Sequence, residues 1–276
     1  MTADRNAPPA VEFDRVSFAF DDHVILRDVS FAVPRGRMTI LLGESGVGKS
    51  VSLKLILGLL RPDAGAIRVN GERVDAMPER ELMRVRADIG MVFQELALFD
   101  SLTVAENVGY RLSEEMHLPD EEVRARVGEV LGFIGLGEFM DRLPSELSGG
   151  QRRRVAIARA MASRPSLILF DDPTTGLDPI IASTVDDEIV KLRDLERVTS
   201  VFVTQQIRDA SYVATHRAVR RNGRIEIVDA DETEVAPAEF LLLHEAGIRF
   251  RGTFAELMAS EDEYLREFLY MTLPPW

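Results

Sequence analysis

A chain of 276 residues, 46% hydrophobic and with a formal net charge of −13, is long enough for one large α/β domain or two modest ones. The acidic balance argues against nucleic acid as the main partner, because phosphate binding calls for a basic face, and the absence of cysteine excludes disulfides and thiolate metal sites, in keeping with a reducing compartment. No stretch approaches the roughly 18–20 apolar residues that span a bilayer, and residues 1–9 lack the basic-then-apolar pattern of a secretory leader, so any membrane role is expected to run through a partner.

In chain order, residues 1–10 are polar and proline-containing and read as a loose tail. Residues 11–20 alternate over much of their length and predict a strand. After a turn at Asp21-Asp22-His23, residues 24–33 predict a second one, giving an antiparallel layer. Phe20 closes the first strand. It is either a core side chain or an exposed ring able to stack on an adenine.

The apolar run 37–42 reads as a buried strand and leads into Gly43-Glu44-Ser45-Gly46-Val47-Gly48-Lys49-Ser50. This stretch fits G-x-x-x-x-G-K-[ST], the Walker A phosphate-binding loop, and Val51 opens a helical pattern behind it. Glycines let backbone N–H groups curl around an anion without a Cβ in the way, and the helix N-terminus adds partial positive charge. Lys49 is expected to reach the β- and γ-phosphates of a nucleoside triphosphate, and the Ser50 hydroxyl to ligate Mg²⁺.

Beyond a turn at 61–65, residues 66–71 predict a short strand with a turn, 78–87 a charged surface helix, and 88–94 a strand ending at Gln94. Residues 95–164 then turn mostly helical. One helix starts at Leu102 or Thr103. Another opens on the acidic turn 119–122 and ends at Gly135 and Gly137. Leu147-Ser148-Gly149-Gly150-Gln151 precedes a third, with Ser148 as its N-cap and two glycines that make a second anion-binding surface. The arginines at 152–154 read as a solvated helix face rather than a nucleic-acid patch. The expected fold class is α/β: a P-loop core at 11–94 and 165–253 with a mostly parallel sheet, an inserted helical subdomain at 95–164, and a C-terminal helix and tail at 254–276.

The apolar strand 166–170 runs into Asp171-Asp172. Alone, these are two acidic residues in a turn. With a phosphate loop present, a strand beside that loop places its terminal Asp near Mg²⁺. A loop at 173–179, a long helix over 180–195, a buried strand at 199–204 ending at Gln205-Gln206, and a helix over 207–214 follow. Residues 217–251 read as strands around an acidic solvated loop at 229–234, and 252–268 as a helical turn and a helix. Trp276, the only tryptophan, is expected to dock on the chain's own core rather than on a partner.

The order of GESGVGKS at 43–50, Gln94 after an apolar strand, LSGGQ at 147–151, LILFDD at 167–172 and GLDP at 176–179 resembles the ATP-binding subunits of ABC transporters, over about residues 11–253. The resemblance implies an ATPase in which two copies, most simply a homodimer, sandwich two ATP molecules. Each ATP would lie between one subunit's phosphate loop and the other's LSGGQ helix. It implies that Phe20 stacks on adenine and that Ser50, Gln94 and Asp171 serve Mg²⁺. Ser148, Gly149 and Gly150 would contact the opposite γ-phosphate with Gln151 beside them, and Asp178 would lie in the loop coupling the two sites. The finer pattern (FQELALFDSLTVAENV at 93–108, GLDPI at 176–180 and the stretch 252–269) is similar to lipid-transporter ATPases of the Mla/Mce type. That similarity implies an integral membrane permease, an Mce-domain lipid-binding protein, and a peripheral place on the cytoplasmic side of the inner membrane. Against the family pattern, 221–238 looks like an insertion.

Two positions depart from that pattern. Asp172 stands where a Glu is expected to position and deprotonate the attacking water, and Gln205 where a His is expected to contact the γ-phosphate. A carboxylate shorter by one methylene, misplaced by about 1 Å, costs on the order of 10²-fold, and Gln cannot take up a proton. Normal ATP binding with slow hydrolysis is the expectation. A non-catalytic regulatory subunit paired with an active ATPase, and a soluble ABC-type ATPase of DNA repair or translation, are the competing readings. The second usually carries two ATP-binding units, long coiled coils or zinc-binding cysteines, none of which this sequence shows.

Overall fold

The computed structural model describes residues 7–221, 223–230 and 238–272. The docking of Trp276, the tail residues 1–6 and the acidic residues 231–234 lie outside the described residues.

The chain opens with β1 (Val11–Phe20) and β2 (His23–Val33). They form an antiparallel hairpin that buries Val11, Phe13, Val16 and Phe18 on one face of β1. The alternation slips between Phe13 and Val16, where Arg15 takes φ 48° and the register shifts. A bulge of this kind inserts a residue without turning the apolar face outward. The tail is shorter than expected: Ala10 is buried, its N–H donates to Val33 and its carbonyl accepts from Asn70. Strands β3 (Met38–Leu42), β4 (Ala64–Val69) and β5 (Glu72–Arg73) follow, with helix α1 (Lys49–Ile56) between β3 and β4. β4 and β5 join the hairpin in a four-stranded antiparallel sheet ordered β2-β1-β4-β5.

Helix α2 (Glu79–Arg86) precedes β6 (Ile89–Val92). Three helices come next: α3 (Val104–Glu114), α4 (Asp120–Phe133) and α5 (Gly149–Ala162). Thr103 and Glu106 close a capping box at the start of α3. Asn107, fully buried, spends its amide on the Phe99 N–H and the carbonyls of Phe99, Leu102 and Thr103, which fixes the chain entering α3. Gly135, at φ 67°, ends α4 as expected.

Strand β7 (Leu167–Asp171), helix α6 (Pro179–Lys191), β8 (Thr199–Thr204) and α7 (Ile207–Thr215) complete the core crossovers. A wide helical turn at Leu192–Glu196 carries α6 to one residue past the expected end. Hairpin β9 (His216–Arg221) and β10 (Arg224–Asp229) stands as a two-stranded sheet. Part of the expected insertion is therefore ordinary hairpin, and Asp229 is no loop residue: it closes β10 opposite His216. Strands β11 (Ala238–His244) and β12 (Gly247–Gly252) and helices α8 (Phe254–Met258) and α9 (Glu263–Thr272) end the described chain.

The main sheet has the order β12-β11-β3-β8-β7-β6, parallel throughout except for β12. Its strands read as continuous apolar runs because both faces are covered. Ile40, Leu42, Phe170, Phe202 and Phe240 face the helical side, sharing one core with α3, α4, α5, α6 and α7. Leu41, Leu169, Val201, Val203 and Leu241 face α1 and the antiparallel sheet. Leu265 and Phe268 of α9 enter the first of these cores with Ile207 and Val213 of α7. Among the described residues no helix is long and apolar enough to cross a membrane.

Gly90 of β6 lies against α5 so closely that a Cβ there would sit 2.5 Å from the Ala160 carbonyl oxygen. Gly90→Ala is expected to lower unfolding free energy by about 1–3 kcal/mol in urea titration. Gly132→Ala, in α4 with nothing within 4 Å of the new Cβ, is expected to raise it by about 0.5–1 kcal/mol.

Candidate nucleotide-binding site

The loop from Gly43 to Gly48 leaves β3 and enters α1 under two tight approaches. A Cβ on Gly43 would meet the Leu243 carbonyl oxygen at 2.7 Å, and one on Gly48, at φ 111°, would meet Ile25 at 2.9 Å. Side chains are excluded at both, so backbone alone forms the turn. Lys49 is buried and donates to the carbonyl oxygens of Gly43 (2.8 Å) and Glu44 (2.9 Å). Burial pushes its ammonium below the ordinary lysine pKa, against the pull of Asp172, Asp171 and Glu44.

Ser50 donates its hydroxyl to Asp171 Oδ1 at 2.7 Å. Strand β7 is not next to β3, since β8 lies between them, yet its terminal Asp171 stands beside the phosphate loop as the sequence suggested. The contact survives because Asp171 is the last residue of β7 and Ser50 sits in the first turn of α1. Burial raises the pKa of Asp171; the Ser50 bond and Lys49 oppose the shift, while Asp172 adds to it. Asp172 has left-handed backbone, φ 44°. Its N–H donates to Val203 at 2.9 Å, and its Oδ1 accepts from the Gln205 N–H at 3.1 Å. The short carboxylate is thus engaged by the backbone at the end of β8.

One cavity of about 160 Å³ gathers Ser45, Gly46, Gly48, Lys49, Ser50, Val51, Gln94, Asp172 and Gln205. Four segments far apart in sequence meet there. A second cavity, about 460 Å³, adjoins Gly46 and Val47 and is walled by His23 to Arg27 of β2 and by Glu245 and Ala246. Phe20 pairs with His23 across the hairpin turn and is 48% exposed, which removes the core reading of that ring.

The other expected residues lie elsewhere. Ser148 and Gln151 form a reciprocal capping box on α5: the Ser148 N–H donates to Gln151 Oε1 (2.8 Å) and the Gln151 N–H to Ser148 Oγ (3.3 Å). A Cβ on Gly150 would strike Ile181 at 2.3 Å. Asp178 caps α6, accepting from the N–H groups of Ile180 and Ile181, both at 3.1 Å. None of these lines the phosphate-loop cavity, so within one chain the α5 N-terminus is a separate surface.

The arginines at 152–154 are not a solvated face. Arg152 donates to Leu147 O and Arg154 to Ile134 O. Arg153 is buried and donates to the carbonyls of Phe93 (3.0 Å), Gln94 (2.6 Å) and Thr175 (3.3 Å). It ties the LSGGQ helix to the strand end carrying Gln94 and to the loop after Asp172. A signal for this was available: Arg153, Ile157 and Ala160 share a face at helical spacing. Tyr264 gave no such signal. Its hydroxyl crosses from α9 to Glu44 Oε1 at 3.1 Å.

With this geometry in view, the comparisons with known proteins are decisive at the level of family. The family profile described as ABC transporter matches residues 26–175, more than half of the chain. The chain belongs to the ABC transporter family. It is 38% identical over 248 residues to the sulfate/thiosulfate import ATP-binding protein of Synechocystis sp., covering 90% of this chain and 66% of that protein. It is 34% identical over 259 residues to the intermembrane phospholipid transport system ATP-binding protein of Haemophilus influenzae, covering 94% and 89%. The methionine import ATP-binding protein of Nocardia farcinica is 39% identical, with 83% and 70% covered. The chain thus spans slightly less than two thirds of the sulfate relative's length. Among solved structures, the ATP-binding cassette MJ0796, dimeric in a post-hydrolysis state bound to ADP and Pi, superposes with TM-score 0.71 at 28% identity, covering 88% and 98%. The protein cbiO1 from Clostridium perfringens, part of the ABC transporter complex cbiONQ, gives 0.77 at 26%, covering 97% and 96%. The resemblance to ABC ATP-binding subunits holds, as does the fold class. The narrower likeness to lipid transporters is one among relatives that import sulfate, methionine or iron.

Two outcomes follow from the site's internal bonds. Replacing Arg153 by Met strands three carbonyls and is expected to cost about 2–4 kcal/mol of stability by urea unfolding. Asp171→Asn keeps an acceptor for Ser50 and removes a buried charge. Because the folded pKa of Asp171 is raised, its ionisation opposes folding above the unfolded carboxylate range near ~3.9 and not below it. The variant is therefore expected to melt about 2–4 °C higher at pH 7.5, with the gain disappearing near pH 4.

Proposed function

We propose that the chain is the ATP-binding and ATP-hydrolysing subunit of a membrane transporter. The observation that carries this is the 2.7 Å bond between Ser50 and Asp171 beside buried Lys49. It joins a phosphate loop to a carboxylate strand, and Lys49 and Ser50 line one cavity with Gln94, Asp172 and Gln205. The donor set fits Mg²⁺: a hydroxyl, a carboxylate and an amide oxygen are the hard oxygen ligands that ion takes. When bound, Mg²⁺ neutralises charge on the β- and γ-phosphate oxygens.

In this reading the chain's own groups divide the work. Amides of residues 43–50 and the Lys49 ammonium hold the phosphates. Ser50 and Asp171 hold the cation, with Gln94 reaching it directly or through water. Phe20, exposed at the tip of β1, stacks on the adenine next to the cavity walled by β2. Ser148, Gly149 and Gly150 act on the γ-phosphate of a second copy, which supplies the same groups in return; Gln151 and Asp178 set the starts of α5 and α6 that meet that copy. A permease docks in the groove between α3 and α4, a hollow of about 790 Å³ that includes Tyr110, Val123, Val127 and Met140. The subunit is then peripheral, on the cytoplasmic side of the membrane.

A phospholipid or similarly hydrophobic cargo is supported by the runs at 93–108 and 176–180 and by the 34% identity over 259 residues to the phospholipid-system relative. The Mce-domain partner rests on the resemblance alone.

Hydrolysis is slow in this reading. Asp172 Oδ1 is held by the Gln205 N–H, Asp172 lacks the reach of Glu, and Gln205 cannot take up a proton as His does. The same observation favours, as a second reading, a regulatory subunit that binds ATP beside an active partner. The assembled complex is expected to bind ATP and to turn over below about 1 s⁻¹, the floor of the usual range. Asp172→Glu with Gln205→His is expected to raise turnover at least tenfold, and Lys49→Ala to abolish ATP binding. Turnover of about 1–10² s⁻¹ by the natural chain would sink the slow-hydrolysis reading. An intact second ATPase co-purifying with the chain would favour the regulatory one.

A further inference from the structure

The C-terminal helix reaches the phosphate loop itself. Tyr264, in the first turn of α9, donates its hydroxyl to Glu44, the second residue of that loop. The ring is fixed on its own account. It stacks on His244 with centroids 3.7 Å apart, and the Arg249 guanidinium lies 5.4 Å from its centroid. Arg249 is held in turn by Asp262 at 2.9 Å. The loop backbone is clamped at the same place, since Gly43 packs on the carbonyl of Leu243, the residue before His244.

A carboxylate in this loop is an awkward neighbour for a polyanion. Its charge is felt by Lys49 a few residues on, so it is near enough to be felt by phosphates that Lys49 would hold. Like charges at such range repel appreciably even with substantial screening. Glu44 is not among the residues lining the phosphate-loop cavity, and the neutral Tyr264 hydroxyl satisfies its carboxylate from α9. Burial and the bond to Glu44 push the Tyr264 phenol up to about 12, so it stays protonated and keeps donating at neutral pH.

We infer that Tyr264 is a positioning residue of the nucleotide site: its hydroxyl holds the Glu44 carboxylate away from the phosphates, and α9 thereby sets nucleotide affinity. The inference rests on the ATP-site reading above. It gives the C-terminal helix, which lies beyond the family match ending at residue 175, a part in binding.

The experiment is equilibrium binding of a fluorescent ATP analogue with Mg²⁺ to the full chain, in four forms: natural, Tyr264→Phe, Glu44→Gln, and the two together. Tyr264→Phe keeps the ring and its stacking on His244. It is expected to weaken binding about 3–10-fold, with the same change in KM and little in kcat. In the Glu44→Gln background the charge is gone, and adding Tyr264→Phe is expected to change binding by less than about twofold. A purely structural tyrosine would give the same loss in both backgrounds, along with a lower Tm. Unchanged binding in Tyr264→Phe, or a full loss persisting in the Glu44→Gln background, overturns the proposal. A natural chain that fails to bind the analogue, with Lys49→Ala making no difference, overturns the ATP-site reading and this proposal with it.

Discussion

The parallel direction of β3, β8, β7 and β6 is the constraint from which the site follows. Strands bonded in one direction and in near-level register end on one edge of the sheet. Leu42 lies opposite Thr204, Asp171 opposite Val203, and Val92 opposite Phe170. The next residues out, Gly43, Gln205 and Asp172, and Gln94 two past Val92, are therefore delivered to the same edge. Ligand sites of open α/β sheets form at this carboxyl edge for that reason. The two buried faces keep the edge fixed, because a slip of one residue in any strand would exchange the Ile40 face for the Leu41 face.

A second constraint comes from helix starts. Both the LSGGQ turn and the loop before α6 spend their side chains on capping, Ser148 with Gln151 and Asp178 with the amides of Ile180 and Ile181. Capping leaves the glycine amides of the first turn free to face outward, which a second subunit's phosphate would need. Structural and functional demands on these residues therefore point the same way, and a capping role for Ser148 takes nothing from the binding role proposed for it.

Local chemistry was legible in the sequence and long-range contact was not. Glycine spacing at 43–48, the apolar strand into Asp171-Asp172 and the N-cap at Ser148 each follow from a few consecutive residues, and each stands where expected. The bulge at Arg15 was hidden because a single left-handed residue leaves the apolar pattern almost intact. The place of β8 between β3 and β7 is a matter of topology that no run of residues encodes. Arg153 was misjudged because charge was weighed above position: an arginine whose head finds three backbone carbonyls is at home on a buried face. The meeting of Tyr264 with Glu44 joins positions that share no motif, so only the packing of α9 against α7 and the end of β11 brings it about.

The contact between Gly150 and Ile181 has a mechanical meaning. With no Cβ between them, the first turns of α5 and α6 mesh like two teeth, and neither turns without carrying the other. Arg153 fastens the same gear to the loop after Asp172 and to the backbone of Gln94. The helical side of the molecule is thus joined to the strand edge carrying Gln94 and Asp172 by direct contacts of α5.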